Sequence, residues 1–152
     1  VDLSGGKATL LRPGSIAAAE IERALGRPLA APARDAPRAP GTLAAHYAPA
    51  TPLTLVESDL LAELAATLTR QGKKVAVLAF SEARPLLPGM IWLAAPRDAA
   101  RYAHALYASL RALDAAECDA ILVERPPQDA AWVAINDRLS RAAAGSSGPD
   151  SP

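Results

Sequence analysis

Four short and almost continuously apolar segments lie within the second half of the chain, at residues 53–56, 75–80, 91–94 and 121–124. Strands that are apolar on both faces are typical of a parallel sheet that is covered on both sides. Parallel strands need long crossover connections, which are usually helical. The spacing of the four segments therefore predicts an α/β domain.

The segments between and after these strands have the periodicity of amphipathic helices. Ser58 and Asp98 are predicted as the N-caps of the first two helices, and a final helix is predicted over about residues 130–143. The residues predicted to face inward are Leu60, Leu61, Leu64, Leu68, Tyr102, Leu106, Leu110, Leu113, Trp132, Ile135 and Leu139. The predicted fold is a small Rossmann-like, mostly parallel sheet with helices on both faces.

Three other zones surround this predicted domain, which spans residues 53–144. Residues 28–52 contain six prolines and are predicted to form an extended, semi-rigid linker. Residues 145–152 are rich in Gly, Ser and Pro, and we expect them to be a disordered tail.

Residues 1–27 are predicted to contain two short strands, at 1–3 and 9–11, and one helix. Ser15 is a plausible N-cap of this helix, and Gly26 is expected to end it. Two short strands and one helix cannot bury a core of their own. We therefore expect this zone to be the remnant of a larger domain.

Charge and composition restrict the function. The chain has 16 basic and 16 acidic residues, so it lacks the basic excess of a nonspecific nucleic-acid binder. A single cysteine, Cys118, excludes an internal disulfide and a multi-cysteine metal site. No apolar run approaches the roughly 18 residues of a membrane span, and no signal-peptide pattern is present. We expect a cytoplasmic protein.

Two short motifs are candidates for chemistry. Arg12 is predicted to lie at a strand end just before a helix, where ligands collect in α/β folds and where a guanidinium can bind phosphate. Spacing alone favours a surface arginine at a turn. His46 and Tyr47 lie between prolines in the linker, where they could cover a site as a lid or simply anchor the linker to a domain.

Other polar residues have simpler interpretations. His104 is predicted to be a partly buried structural histidine, and Cys118 a small packing residue. The Asn136-Asp137-Arg138 run could bind a ligand, but capping or interaction with a neighbouring element is favoured. We predict no metal site and no complete catalytic site in this chain.

Several stretches resemble one known family. Leu11-Arg12-Pro13-Gly14 resembles the end of a YrdC-like catalytic domain, and Ala39-Pro40-Gly41 followed by His46-Tyr47-Ala48-Pro49 resembles that family's interdomain linker. Residues 102–114 and 134–139 look like the C-terminal, Sua-type domain of two-domain threonylcarbamoyl-adenylate synthases. The resemblance covers nearly the whole chain.

This resemblance implies a fold, an activity and roles for residues. The family makes threonylcarbamoyl-AMP from L-threonine, bicarbonate or CO2, and ATP, with Mg2+ expected in the parent enzyme. A separate transferase complex then modifies adenosine 37 of tRNAs. The resemblance assigns Arg12 to ATP binding, and His46 and Tyr47 to a linker lid over the active site. It also implies that this chain, without the upstream catalytic domain, is inactive. Direct contact of this chain with tRNA stays open but is disfavoured by its zero net charge, and we expect no membrane contact.

One motif departs from the family pattern. The linker often has Met-Lys-Tyr-Arg before its His-Tyr pair, whereas residues 42–45 here are Thr-Leu-Ala-Ala. Any role of those basic and aromatic side chains is therefore lost or moved in this chain.

The rival hypothesis is a stand-alone α/β domain that senses a nucleotide or binds another protein. The lack of a glycine-rich phosphate fingerprint after any predicted strand of residues 53–144 counts against nucleotide sensing.

Overall fold

The structure is a computed structural model that describes residues 1–4, 6–14, 16–31, 48–81 and 87–146. The helices and strands, in chain order, are α1 (Ala18–Leu25), β1 (Leu53–Val56), α2 (Ser58–Arg70), β2 (Val75–Ala79), β3 (Met90–Ala94), α3 (Ala99–Asp114), β4 (Ala120–Glu124), a 3-10 turn (Ala130–Trp132) and α4 (Val133–Ser146).

The four strands form one parallel sheet in the order β1-β4-β2-β3. Leu53 of β1 pairs with Ile121 of β4, and Val75 of β2 pairs with Ala120 of β4. All five residues of β2 are buried, as expected for a central strand that is covered on both faces. The predicted α/β architecture with a parallel sheet is confirmed.

Helices cover both faces of this sheet. α2 packs on one face, while α3 and α4 pack on the other. The inward residues predicted for α3 and the last helical segment are all buried. On α2 the prediction was wrong for Leu60, which is 55% exposed, because the buried face of this helix is centred on Leu61 and Ala65.

The two predicted caps have different outcomes. The Asp98 carboxylate accepts the backbone N–H of Arg101 at 2.9 Å, so this N-cap is confirmed. The Ser58 prediction was wrong, since Ser58 is the first residue of α2 and Glu57 occupies the cap position. The Ser58 hydroxyl instead donates to Glu124 at 2.7 Å.

The N-terminal zone is less regular than predicted. Instead of two strands it contains isolated bridges, antiparallel between Asp2 and Thr9 and parallel between Thr9 and Ala30. α1 begins at Ala18 and ends before Gly26, whose φ of 65° is left-handed. No residue of α1 is buried, which agrees with the expectation that this zone builds no core of its own. The predicted cap Ser15 lies outside the described residues.

The end of the domain lies two residues beyond its predicted limit. α4 continues through residue 145 to Ser146, which is 9% exposed. The Ser146 hydroxyl accepts the backbone N–H of Leu53 at 2.9 Å and donates to the carbonyl of Ala143 at 3.0 Å. Residues 145 and 146 therefore belong to the packed domain and not to a tail.

The C-terminal end of the linker is attached to α3. The Asp114 carboxylate accepts the backbone N–H groups of Ala50, at 3.1 Å, and Thr51, at 2.9 Å. Partial burial acts to raise the pKa of Asp114, but hydrogen bonds from Thr51 and Ala50 outweigh it and lower that pKa below its ordinary value. The linker thus enters β1 from a fixed point. Residues 32–47 of the linker, including His46 and Tyr47, lie outside the described residues.

Candidate functional site

A cleft of about 520 Å³ opens at the carboxyl edge of the sheet. Its lining comes from the ends of all four strands and from the segment after β4: Glu57, Phe80, Arg97, Glu124, Arg125, Pro126, Pro127, Gln128 and Trp132. The chain leaving β2 continues to β3, whereas α4, which follows β4, packs against β1 on the other side. The cleft therefore lies between the ends of β4 and β2, from which the chain continues to opposite sides of the sheet. Open α/β sheets bind ligands at such a point.

A buried carboxylate lies at the centre of this edge. Glu124 ends β4 and is only 6% exposed. One of its oxygens accepts the Ser58 hydroxyl at 2.7 Å, and the other accepts the backbone N–H groups of Phe80 at 2.6 Å and Ser81 at 3.3 Å. Three donors from the starts of α2 and of the β2–β3 connection thus stabilise one charge, as a buried ion requires.

Three aromatic rings form the apolar side of the cleft and the layer behind it. Phe80 and Trp132 line the cleft with their ring centroids 5.5 Å apart, edge to face. Tyr102 packs against both, at 5.4 Å from each. The two pairs that involve Trp132 have the edge-to-face geometry that is favourable for aromatic rings, and the Phe80–Tyr102 pair is tilted by 33°.

The Tyr102 hydroxyl has no hydrogen-bond partner among the described residues, although the side chain is 1% exposed. Burial, and to a lesser extent the negative charge of Glu124, raises the pKa of Tyr102 well above its ordinary value. A buried donor without an acceptor costs about 1–3 kcal/mol. Tyr102 is therefore neutral, and its hydroxyl makes no hydrogen bond to a described residue.

Charged groups and a fastened loop form the rim. Arg125 pairs with Glu57, and the Arg97 guanidinium donates to the carbonyl of Phe80 at 3.2 Å. Asn136 of α4 donates to the carbonyl of Pro127 at 2.8 Å and accepts from Gln128 at 3.3 Å. This agrees with the favoured interpretation of Asn136 as a residue that interacts with a neighbouring element.

The structure places Arg12 away from the cleft. Its guanidinium lies 4.0 Å from the Asp137 carboxylate of α4, and Asp137 also accepts from Arg141, one helical turn further on. Arg12 therefore joins the N-terminal zone to α4. Since His46 and Tyr47 lie outside the described residues, the three predicted site residues are not seen together.

Two minor predictions can be compared with the structure. His104 is exposed on α3, so its predicted partial burial was wrong: the buried face of α3 contains its neighbours Tyr102 and Leu106 instead. Cys118 is half-buried, and burial raises the pKa of its thiol, which fits a packing residue better than a nucleophile. Among the described residues, no group of three or more His, Cys, Asp or Glu side chains could bind a metal ion.

The sequence analysis did not identify the cleft residues as a site. The sequence feature that could have indicated the cleft is the position of charged residues directly after apolar strand residues, such as Glu124 and Arg125 after residues 121–123. Because parallel strands end at the same edge, residues that follow different strands come together there. The strand order, which the sequence does not reveal, is needed to bring Phe80 beside Glu124.

Fold and cleft together define a class of protein: a three-layer α/β domain with a parallel sheet and a ligand-sized cleft at its carboxyl edge. The family model of the threonylcarbamoyl-AMP synthase C-terminal domain matches residues 16–144. The chain belongs to this family.

Curated relatives and a solved structure agree with this assignment. The chain is 31% identical over 145 residues to the threonylcarbamoyl-AMP synthase of Bacillus subtilis, and 29% identical over 153 residues to that of Pyrococcus abyssi. The two matches cover 90% and 93% of this chain but 42% and 44% of those proteins. The chain thus spans less than half the length of the curated relatives it matches.

The similar solved structure is a P. abyssi Sua5 variant in which a histidine and the tyrosine after it are both replaced by alanine. The match has a TM-score of 0.71 at 26% identity and covers 91% of this chain and 42% of that one. It supports the α/β fold described above. Within the described ranges, no helix is both long and apolar enough to cross a membrane.

Proposed function

We propose that this chain is the C-terminal part of an L-threonylcarbamoyladenylate synthase, which makes threonylcarbamoyl-AMP from threonine, bicarbonate or CO2, and ATP. The match of the family model to residues 16–144 carries this proposal, and the names of the two curated relatives agree with it. The product would be passed to a separate transferase complex, which modifies adenosine 37 of tRNAs.

The proposed reaction requires positioning and charge neutralisation more than covalent catalysis. The threonine amine captures CO2 as a carbamate, and a carbamate oxygen attacks the α-phosphate of ATP, so that pyrophosphate leaves. An arginine that contacts the nucleotide phosphates would stabilise the negative charge that develops. We assign this role to Arg12, which Asp137 approaches from α4.

We assign His46 and Tyr47 to a lid that limits the access of water to the product, a mixed anhydride that hydrolyses easily. The solved P. abyssi Sua5 structure carries alanine substitutions at an adjacent histidine and tyrosine, which is the same kind of pair as His46 and Tyr47. The segment that follows Tyr47 is attached to the C-terminal domain, since Pro49 is buried and Asp114 accepts two backbone N–H groups from Ala50 and Thr51. The C-terminal domain would thus provide a fixed base for the lid.

The described residues do not supply the rest of an active site. They offer no cluster for a metal ion, so we assign no step to Mg2+ bound by them. In the family, the motifs that bind most of ATP and threonine lie upstream of the region this chain resembles. We therefore propose that the 152-residue chain is inactive alone.

Pyrophosphate release in the presence of ATP, threonine and bicarbonate tests this proposal. The chain is compared with the same chain extended upstream by a complete catalytic domain. Release that requires both the extension and threonine is expected. Turnover by the short chain would contradict the placement of the active site, and a folded but inactive extended protein would contradict the proposed activity.

A further inference from the structure

The cleft at the carboxyl edge has the size and the two kinds of surface that a small-molecule site requires. Its volume of about 520 Å³ lies within the range of about 300–1,000 Å³ that is typical of ligand pockets. The described residues that line it belong to the C-terminal domain, between residues 57 and 132, and do not include Arg12. His46 and Tyr47 lie outside the described residues.

One side of the cleft is apolar. Phe80 is only partly buried and lines the cleft, and Trp132, which also lines it, packs against Phe80 edge to face. Two proline rings, of Pro126 and Pro127, continue this surface. Asn136 fastens the carbonyl of Pro127 to α4, so the surface is preorganised. A planar ring is the ligand group that such a surface fits best.

The other side carries two arginine side chains. Among the described residues, the charged side chains that line the cleft are two carboxylates and two guanidinium groups: Glu57, Glu124, Arg97 and Arg125. The Glu124 carboxylate already accepts three donors, and Glu57 pairs with Arg125. A guanidinium has five N–H donors, of which Arg97 uses one, on the Phe80 carbonyl, among the described residues. The donors that remain on Arg97 and Arg125 favour an anionic ligand group.

We propose that this cleft binds a nucleoside monophosphate, with its base against Phe80 and the proline rings and its phosphate paired with Arg97 and Arg125. No glycine-rich loop follows β1. Glu57 occupies the N-cap position of α2 without a side-chain cap hydrogen bond, and its carboxylate pairs with Arg125 instead. The start of α2 therefore lacks the phosphate loop of dinucleotide-binding folds, and the arginine pair is the alternative. The site does not depend on the function proposed above.

Titration of the 152-residue chain with AMP, GMP, CMP and UMP tests this proposal, with calorimetry for affinity and amide NMR for location. At least one monophosphate is expected to bind and to shift the backbone amides of Phe80 and Ser81 and the indole N–H of Trp132. Adenosine and inorganic phosphate, each carrying half of the recognition, are expected to bind at least tenfold more weakly than AMP if AMP is the ligand. Absence of binding by all four monophosphates, or phosphate binding as tightly as the nucleotide, would overturn the proposal.

Matched arginine variants locate the phosphate. Arg97→Gln and Arg125→Gln are each expected to weaken binding of the preferred monophosphate about tenfold and to leave nucleoside binding unchanged, because each removes one charge-assisted contact. Arg111→Gln, at the exposed far end of α3, is the control and is expected to bind like the unmodified chain. Equal affinity of all three variants would contradict the assignment. The upstream catalytic domain is absent from this experiment, so its outcome is separate from that of the synthase assay.

Discussion

The carboxylate of Glu124, the last residue of β4, accepts the backbone N–H of Phe80, the first residue after β2, at 2.6 Å. The last backbone pair between these two central strands is Leu78 with Val123. The Glu124 side chain therefore continues the pairing of β2 and β4 beyond the end of the sheet. It also fixes Phe80, whose ring lines the cleft.

Loss of this carboxylate should destabilise the domain. Glu124→Ala leaves the N–H of Phe80 and the Ser58 hydroxyl without their acceptor, and we expect it to lower the free energy of unfolding by about 2–4 kcal/mol. Glu124→Gln can still accept the Phe80 N–H and can donate to Ser58, so its effect should stay below about 1.5 kcal/mol. Urea unfolding of both variants measures the difference, and equal losses would show that charge rather than hydrogen bonding matters here.

Removal of the Tyr102 hydroxyl should not lower the free energy of unfolding, in contrast to the loss of the Glu124 carboxylate. Since this buried group has no partner among the described residues, Tyr102→Phe is expected to leave the free energy of unfolding unchanged or to raise it by up to about 1–3 kcal/mol. Tyr102→Ala removes the ring from its contacts with Phe80 and Trp132 and should lower it by about 3–5 kcal/mol. A loss of more than 1 kcal/mol in Tyr102→Phe, on the scale of one hydrogen bond, would reveal an acceptor.

The attachment of the linker to Asp114 should depend on pH. The folded-state pKa of Asp114 is lowered, so its contribution to stability is fully present above the unfolded-state pKa of about 3.9 and is lost as the pH falls through the lower folded-state pKa. Asp114→Asn should therefore be less stable than the unmodified chain at pH 7, by about 0.5–1 kcal/mol because the site is near the surface.

This difference in unfolding free energy should shrink as the pH falls below 4. Glu63→Gln, on the exposed side of α2, is the control and should show no comparable change with pH. A constant difference for Asp114→Asn across that range would indicate that ionisation of Asp114 does not stabilise the linker end.

Ser146 should mark the end of the folded domain. Ser146→Ala removes the acceptor of the buried Leu53 N–H and is expected to lower the free energy of unfolding by about 1–2 kcal/mol. Ser140→Ala, at an exposed position of the same helix, should change it by less than about 0.5 kcal/mol. If both substitutions change the free energy of unfolding by similarly small amounts, the folded domain ends at residue 144, as the sequence predicted.

The parallel sheet and the buried faces of α3 and α4 were predictable because they follow from regular apolar periodicity. The predictions were wrong where a polar side chain could bind either a local or a distant partner. Ser58 was predicted to cap its own helix, but its hydroxyl contacts Glu124, 66 residues away in the chain. The serine at 146 was assigned to a tail by its Gly/Ser-rich context, yet it contacts β1. Such distant contacts leave no periodic signal in the sequence.

The cleft was not predictable for a related reason. Its residues follow different strands, and only the order β1-β4-β2-β3 places Glu124 beside Phe80. The sequence analysis singled out Arg12 and the His46-Tyr47 pair instead. Their proposed roles rest on the family resemblance and not on functional groups that this chain brings together.

The most direct test of the proposed activity is mass-spectrometric detection of the product formed from ATP, threonine and 13C-labelled bicarbonate. The experiment compares the 152-residue chain with the chain extended by an upstream catalytic domain. We expect labelled threonylcarbamoyl-AMP from the extended protein only. Labelled product from the short chain alone would contradict the placement of the active site upstream of this chain. An unlabelled threonine adenylate from the extended protein would contradict the proposed synthase activity.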